Sequence, residues 1–308
     1  MHTDLPAAAP PIDLPTPSFA HGAAGGVRVP ASGSVRVPEG VTSAWMQLRG
    51  TATVQCREGS FRLRRGEWML LDQRSQPCVQ SDRLGICMGL HFGTDALTAL
   101  GEGANPLYAG RGRMCRDDMQ IALRLWRRLD LVPDGRVTLR NDLRPLLLLM
   151  ADLQRDIATQ SLRCPGRSLT QRAGLMARLQ VSRLHLEGHP QLDHRVDDLA
   201  SVAGLPARYF SRVFQVVYGV SPLSFAGRVR LDHAVRLLRE GAMTLDQVAV
   251  ICGFKHRGTL VPALRAHLGL GRRERIGDHL SHRTSGDADP KRTSVSASSI
   301  ATTRIATG

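Results

Sequence analysis

Short segments in which apolar and polar residues alternate occupy the chain from Val27 to Phe92, and Gly or Pro separates them. An alternation with a period of two is typical of strands that bury one face. The predicted strands are 35–38, 44–50, 52–56, 61–66, 68–71 and 84–90. Several short strands at this spacing favour a small barrel or sandwich.

After Thr94 the apolar positions recur at helical spacing. Two amphipathic helices are predicted, at 117–132 and 141–157. Asn141 is the expected N-cap of the second, with Pro145 tolerated in its first turn. In a regulator such helices pair two subunits, so residues 96–165 are predicted as a helical dimerisation and linker segment. The alternative is that these helices only cover the barrel.

The chain ends and the hinge have a different composition. Residues 1–24 are rich in Ala and Pro, and residues 277–308 in Ser, Thr and Ala, without apolar periodicity. Both segments are predicted to be disordered, as leader and tail. Arg163 to Arg167 is predicted as a hinge, after which Ser168 caps a helix.

A pattern typical of a helix-turn-helix follows and occurs twice. In the first copy, Ala200 allows close helix approach, Gly204 allows a tight turn, and Pro206 opens the second helix. Ser221 and Pro222 begin a long connecting helix. Thr244 to Gln247 is a capping box that opens the second copy, in which Ala249 and Gly253 repeat Ala-x-x-x-Gly 49 positions later.

The second helix of the first copy, 206–217, has two distinct faces. Phe210, Val213 and Phe214 are predicted to face inward. The opposite face carries Arg208, Ser211 and Arg212, and Ala207 sits at the leading end. Guanidinium groups can bind guanine O6 and N7 bidentately or anchor on phosphate, and each good base contact contributes about 1–3 kcal/mol of discrimination.

Together, residues 168–276 resemble the DNA-binding domain of the AraC/XylS family of bacterial transcription regulators. The resemblance rests on both Ala-x-x-x-Gly turns, Phe214, Gly-x-Ser-Pro at Gly219 and Arg-Leu-x-x-Ala at Arg230. Residues 25–95 resemble, less specifically, a cupin-like jelly roll, as in that family's sensory domain. The fold class implied is α+β and multidomain, with a cupin-like β-barrel plus helices followed by an all-α double helix-turn-helix domain.

The resemblance implies several partners and contacts. The expected partner is double-stranded DNA, bound by a homodimer, with RNA polymerase and a small-molecule effector as further partners. In the second copy, contacts are expected from Lys255, His256, Arg257 and Thr259. Pro262 departs from the family pattern, where a basic residue is usual. The second copy is therefore expected to read DNA weakly, and its helix would tolerate Pro262 if it started late, at Thr259.

The distribution of charge agrees with a DNA-binding protein, and the alternative is that a basic surface merely aids solubility. The net charge is +14, and residues 1–110 contribute none of it, so the excess lies in the second half, where a polyanion would bind. The six cysteines form no Cys-x-x-Cys pair. No catalytic residue, cofactor or metal is predicted, nor is a membrane span, and the expected location is the cytoplasm.

Two alternatives stay open. The first is a cupin-type metal enzyme fused to a DNA-binding tail, which is disfavoured because His91 is the only histidine from Gly25 to Phe92. The second is a degenerate helix-turn-helix module that binds protein instead of DNA. Whether the barrel holds an effector pocket, whether the protein activates or represses, and which promoter it targets do not follow from the sequence.

Overall fold

A computed structural model describes residues 12–13, 24–93, 106–128, 136–137, 143–241, 243–271, 274 and 276–277. The strands are β1 (Ile12–Asp13), β2 (Ala24–Val29), β3 (Ser34–Arg36), β4 (Thr42–Arg49), β5 (Thr51–Cys56), β6 (Gly59–Arg64), β7 (Glu67–Leu71), β8 (Cys78–Ser81), β9 (Ile86–Phe92), β10 (Gly110–Arg113) and β11 (Arg136–Val137). The helices are α1 (Arg116–Arg127), α2 (Arg144–Leu153), α3 (Arg155–Ser161), α4 (Leu169–Gly188), α5 (Val196–Ala203), α6 (Ala207–Tyr218), α7 (Pro222–Arg239), α8 (Leu245–Ile251) and α9 (Arg257–Leu268).

The strands form two sheets, which confirms the predicted β domain before a helical C-terminal domain. One sheet has the order β1-β3-β8-β5-β6 and the other β10-β7-β4-β9-β2-β11. Neighbouring strands are antiparallel except for β1 and β3, which are parallel. The two sheets are separate, so the domain is an open sandwich and its strands do not form one continuous barrel.

Apolar side chains fill the space between the sheets. This interior includes Trp45, Val54, Phe61, Leu63, Met69, Leu71 and Val79. Alternate residues of the six-stranded sheet, such as Ala44, Met46 and Leu70, point the other way and are also buried, because helices cover that face. The alternation predicted strands that bury only one face. In this sheet the strands are buried on both faces.

Two features of the linker segment differ from the prediction. Residues Gly110 to Arg113, which were expected in a helical region, form β10 and pair with β7. The single helix predicted at 141–157 is two helices, which break at Gln154. The buried side chain of Gln154 accepts a hydrogen bond from Tyr108 N and donates one to Tyr108 O, so tertiary contacts decide this break.

The predicted helix caps can be compared with the structure in part. Ser168 caps α4, Ser221 caps α7 and Thr244 forms the capping box of α8, as predicted. Asn141 lies outside the described residues, and α2 begins only at Arg144, so its first turn lacks a side-chain cap. The predicted disordered leader and tail lie almost wholly outside the described residues.

One continuous core joins the β domain to the first helix-turn-helix. It runs from the outer face of the six-stranded sheet through α1 to α4 and on to Leu199, Phe210 and Phe214. The second helix-turn-helix has a separate small core, formed by α7, α8 and α9 with Ala234, Val248 and Leu260 at its centre. The first copy is therefore anchored on the β domain, whereas the second copy is held mainly by the end of α7.

Candidate nucleic-acid interface

The first copy ends its leading helix with a left-handed glycine. Gly204 has φ 61° and ψ 39°, a conformation that residues with a Cβ rarely adopt. Leu205 N donates to Ala200 O and Gly204 N donates to Ser201 O, each at 2.9 Å. This pair of bonds is the Schellman motif, which satisfies carbonyls at the end of α5 and sets the direction of α6.

Arg178 on α4 reinforces this turn, a role that the sequence did not predict. Its Nε donates to Ala203 O at 2.9 Å, and its Nη2 donates to Gly204 O. Ser182, one turn further along α4, donates to Leu199 O. The positive guanidinium group thus neutralises the carbonyl end of α5. A basic residue at this place carries no local sequence signal, because its partners lie 25 or more positions away.

The inward face of α6 is fixed by an aromatic cluster. Phe210, Val213 and Phe214 are buried as predicted. The ring of Phe214 lies 5.5 Å from that of Phe210, 4.5 Å from that of Tyr218 and 5.7 Å from that of Phe225 on α7. Aromatic pairs at these separations pack favourably, so α6 has little freedom to rotate about its axis.

The outward face of α6 carries the predicted cations. Arg208 and Arg212 are exposed and lie one turn apart, whereas Ala207 and Ser211 are half-buried. The guanidinium group of Arg212 lies 5.6 Å from the ring centre of Tyr209, which orients it. Neither arginine has an ion-pair partner among the described residues. The structure thus presents two unneutralised guanidinium groups on one face of a firmly held helix.

The second copy repeats the glycine turn with the same bonds. Gly253 has φ 71°, Gly253 N donates to Val250 O and Phe254 N donates to Ala249 O. The second turn is thus a true copy of the first.

The helix that follows starts one residue later than the spacing of the turns implies. Gly204 and Gly253 are 49 positions apart, whereas Ala207 and Arg257, which open α6 and α9, are 50 apart. Both helices have 12 residues and end at a left-handed glycine, Gly219 or Gly269. The second connection therefore contains one extra residue.

This extra residue changes which side chains of the second copy correspond to Arg208 and Arg212. The buried pair Phe210 and Phe214 corresponds to Leu260 and Leu264. By the same offset, Arg208 corresponds to Gly258 and Arg212 to Pro262, both of them exposed, while Arg257 corresponds to Ala207 at the leading end. The outward face of α9 therefore lacks both guanidinium groups. The offset of 50 positions is visible in the sequence itself, because it separates Phe210 from Leu260, Phe214 from Leu264 and Gly219 from Gly269.

The other predicted contact residues of the second copy lie at the start of α9. Lys255, His256, Arg257 and Thr259 are all exposed there. The hydroxyl of Thr259 donates to His256 O at 2.7 Å, so it is engaged with the backbone. The structure thus brings these four residues together in one region, next to but not along the outward face of α9.

Pro262 lies inside α9, which corrects the late start considered above. The helix begins at Arg257 with His256 as its N-cap, so Thr259 is not the cap. Proline lacks an N–H, so the carbonyl of Gly258 loses its intrahelical donor. Both residues are exposed, and water can supply that donor. The helix accommodates proline because the unsatisfied group is at the surface.

Arg230 on α7 connects the two copies. Its Nη2 donates to Leu192 O at 2.7 Å in the loop before α5, and its guanidinium group lies 6.0 Å from the ring centre of Phe254 in the second turn. Gly253 also packs against this loop, since a Cβ there would lie 2.8 Å from Gln191 O. The separation of the two helix-turn-helix units is thus fixed by direct contacts.

Other chemistry is sparse in the described part of the chain. No three His, Cys, Asp or Glu side chains come together there in a way that could hold a metal ion. Burial lowers the pKa of His91 and raises the pKa of Cys164 to about 11 and that of Cys252 to about 11. Among the described helices, none is long and apolar enough to cross a bilayer.

Comparison with known proteins identifies this module. Residues 199–271 match the family model described as a helix-turn-helix domain. This chain contains a helix-turn-helix domain of the AraC type. Over 86 residues it is 35% identical to a "Probable transcriptional regulator LumQ" of Photobacterium leiognathi, a match that covers 28% of this chain and 35% of the relative. Over 99 residues it is 31% identical to a "Putative AraC-like transcription regulator" of Streptomyces lividans, covering 32% and 31%.

Among solved structures, this chain is similar to the DNA-binding domain of AdpA in complex with a target DNA. The identity is 28%, the match covers 35% of this chain and 98% of that chain, and the TM-score is 0.32. The chain spans only about a third of the length of the curated relatives, 35% and 31% of the two above. The resemblance to AraC-type regulators predicted from the sequence is confirmed, and its basis is this domain.

Proposed function

We infer that this chain is a transcription regulator that binds double-stranded DNA sequence-specifically, chiefly through α6. The observation that carries the proposal is the pair Arg208 and Arg212. Both are exposed and unneutralised on the outward face of a helix whose other face is buried among aromatic rings. An α-helix fits the major groove, where guanidinium groups distinguish guanine from other bases.

The second copy supports binding in a different way. Lys255, His256 and Arg257 are exposed before and at the start of α9. A basic helix N-terminus suits phosphate, since its free N–H groups also point at the anion. We therefore assign α9 to backbone contacts that hold the protein on DNA, and α6 to base recognition.

The whole protein's assembly and control belong to this proposal. It would act in the cytoplasm as a homodimer on paired sites, respond to an effector and contact RNA polymerase. The packed interior of the sandwich argues against an effector between the sheets. The exposed side chains of Ile121 on α1 and Leu148 on α2 favour the linker helices as the dimer surface.

Nuclease footprinting of the full chain on DNA upstream of its own gene tests the proposal. We expect a protected sequence at moderate salt that Arg208→Ala and Arg212→Ala abolish. Arg83→Ala is the matched control, because it removes one exposed positive charge from the β8–β9 loop of the β domain. Absence of any protected sequence would refute the proposal, and equal loss on all sequences would reduce both arginines to phosphate anchors.

The two alternatives predict other outcomes. Stoichiometric metal in the purified protein would favour the cupin-type enzyme. A protein partner that α9 binds in the absence of DNA would favour the interaction module, for which the exposed Pro262 is the supporting observation.

A further inference from the structure

A cleft of about 390 Å³ lies between the β domain and the C-terminal half of α7. β6 and β10 form one wall and α7 the other, and the end of α4 with the residues that follow it closes the cleft. Four arginines line it, namely Arg62, Arg64, Arg111 and Arg236. The cleft is separate from the outward face of α6.

The acidic groups of this cleft are fewer than its guanidinium groups. Glu240 Oε1 accepts from Arg62 Nη1 at 3.1 Å and from Arg64 Nη2 at 2.8 Å. Glu67 lies 3.6 Å from Arg111. The third acid on the wall, Glu187, is already paired with Arg183 at 2.9 Å. Two carboxylates thus face four guanidinium groups, which leaves an excess of positive charge.

Arg236 is the arginine that this arrangement leaves without a salt bridge among the described residues. It is half-buried, and among the described residues it has no ion pair, only a 3.4 Å contact with His233 Nδ1. Asp232, one turn earlier on α7, is bonded instead to His267 at 2.8 Å. Burial and the nearby charges of Arg111 and Arg64 lower the pKa of Arg236, and the carboxylates of Asp232 and Glu67 offset this only in part. Even partial burial of a cation without a salt-bridge partner is costly, so the site favours an anion.

We propose that this cleft binds a small anion with carboxylate or phosphate groups, held by Arg236 and Arg64 and bridging the β domain to α7. Guanidinium groups bind both kinds of anion bidentately. The ligand would compete with Glu240, whose side chain is 37% exposed and whose ion pairs are therefore weak. Because α7 carries the second helix-turn-helix, occupancy of the cleft would alter how that unit is held.

Titration calorimetry on the full chain, with inorganic phosphate and succinate as separate probes, tests the site. Chloride at equal ionic strength controls for screening. We expect millimolar or tighter binding of one probe, which also tells phosphate from carboxylate recognition. Arg236→Gln should weaken that binding about tenfold, whereas Arg239→Gln, an exposed arginine of the same helix, should leave it unchanged.

Glu240→Gln supplies an independent check in the opposite direction. It frees Arg62 and Arg64, so anion affinity should rise, although the protein loses an interdomain contact. Failure of both probes to bind, equal binding by the Arg236→Gln and Arg239→Gln variants, or weaker binding by Glu240→Gln would overturn the proposal. Loss of DNA affinity in Arg236→Gln without anion binding would show that the cleft contacts DNA instead. The calorimetric outcomes do not depend on the DNA footprint, so failure of the anion site and failure of the proposed DNA binding can be told apart.

Discussion

Arg208 and Arg212 have no charged counterparts in the second copy, where Gly258 and Pro262 stand at the equivalent helix positions. The difference between the two copies is therefore one of individual side chains, since the turns, the buried positions and the helix lengths agree. A guanidinium group that reaches a guanine contributes about 1–3 kcal/mol of discrimination, whereas glycine and proline offer no side-chain donor. Gly258 and Pro262 are therefore the physical reason to expect that the two helix-turn-helix copies recognise DNA unequally.

Gly204→Ala and Gly227→Ala should change stability in opposite directions. Gly204 has φ +61°, and a Cβ there would lie 2.9 Å from Arg178 Nη2, so alanine should destabilise by about 1 kcal/mol. Gly227 lies within α7, and its Cβ would meet no atom within 4 Å, so alanine should stabilise by about 0.5–1 kcal/mol. Urea unfolding measures both free energies, and the same sign for both variants would contradict this account of the turn.

Helix caps and glycine turns were predictable because their determinants are local. Ser168, Ser221 and Thr244 each bond a backbone N–H three residues later, and the two glycine turns close within one helix end. The break at Gln154 was not predictable, because its partner Tyr108 lies 46 positions away. Strand β10 was not predicted either, because it forms by pairing with β7, which is distant in the sequence.

The outward face of α6 was predictable to a similar extent. Helical periodicity placed Arg208 and Arg212 opposite Phe210 and Phe214, as the structure has them. The contribution of Arg178 to the turn depends on a contact between distant helices, so no local pattern contained it. That Arg208 and Arg212 contact bases stays a prediction.

Replacing Pro262 should strengthen α9. Pro262→Ala restores the N–H that Gly258 O lacks, and removing proline from a helix interior stabilises by up to about 3 kcal/mol. Pro262→Arg should stabilise similarly and also tighten DNA binding, because it places a cation at the position equivalent to Arg212. Urea unfolding and DNA titration separate the two effects. If the arginine variant binds DNA no better than the alanine variant, α9 does not face DNA as inferred.

The junction of α4 and α5 should make stability depend on pH. Burial, and to a lesser extent His189 and His194, lower the pKa of His185 from 6.5 to about 4. Between these values the unfolded chain binds a proton that the folded chain does not, so stability should fall as the pH falls through this window. His185→Gln should flatten the dependence of the unfolding free energy on pH. An unchanged slope would contradict the assignment.

The division of the apolar core gives the molecule an asymmetric design. The first helix-turn-helix shares its core with the helices on the β domain, whereas the second has its own. α7 links the second unit to the rest of the described structure, and Arg230, the loop before α5 and the weak pairs of Glu240 add further contacts. The better anchored unit is also the one that carries the exposed Arg208 and Arg212, and the other unit adjoins the arginine-lined cleft.

The central claim is that the two helix-turn-helix copies recognise DNA unequally. Its most direct test is the specificity ratio, which is the affinity for the protected sequence divided by that for a scrambled duplex at fixed salt. We predict that Arg208→Ala and Arg212→Ala each lower this ratio about tenfold or more. Arg257→Ala should instead weaken both affinities equally and reduce the salt slope by about 1. If Arg257→Ala lowers the ratio as much as Arg208→Ala does, α9 reads bases too, and the central claim is wrong.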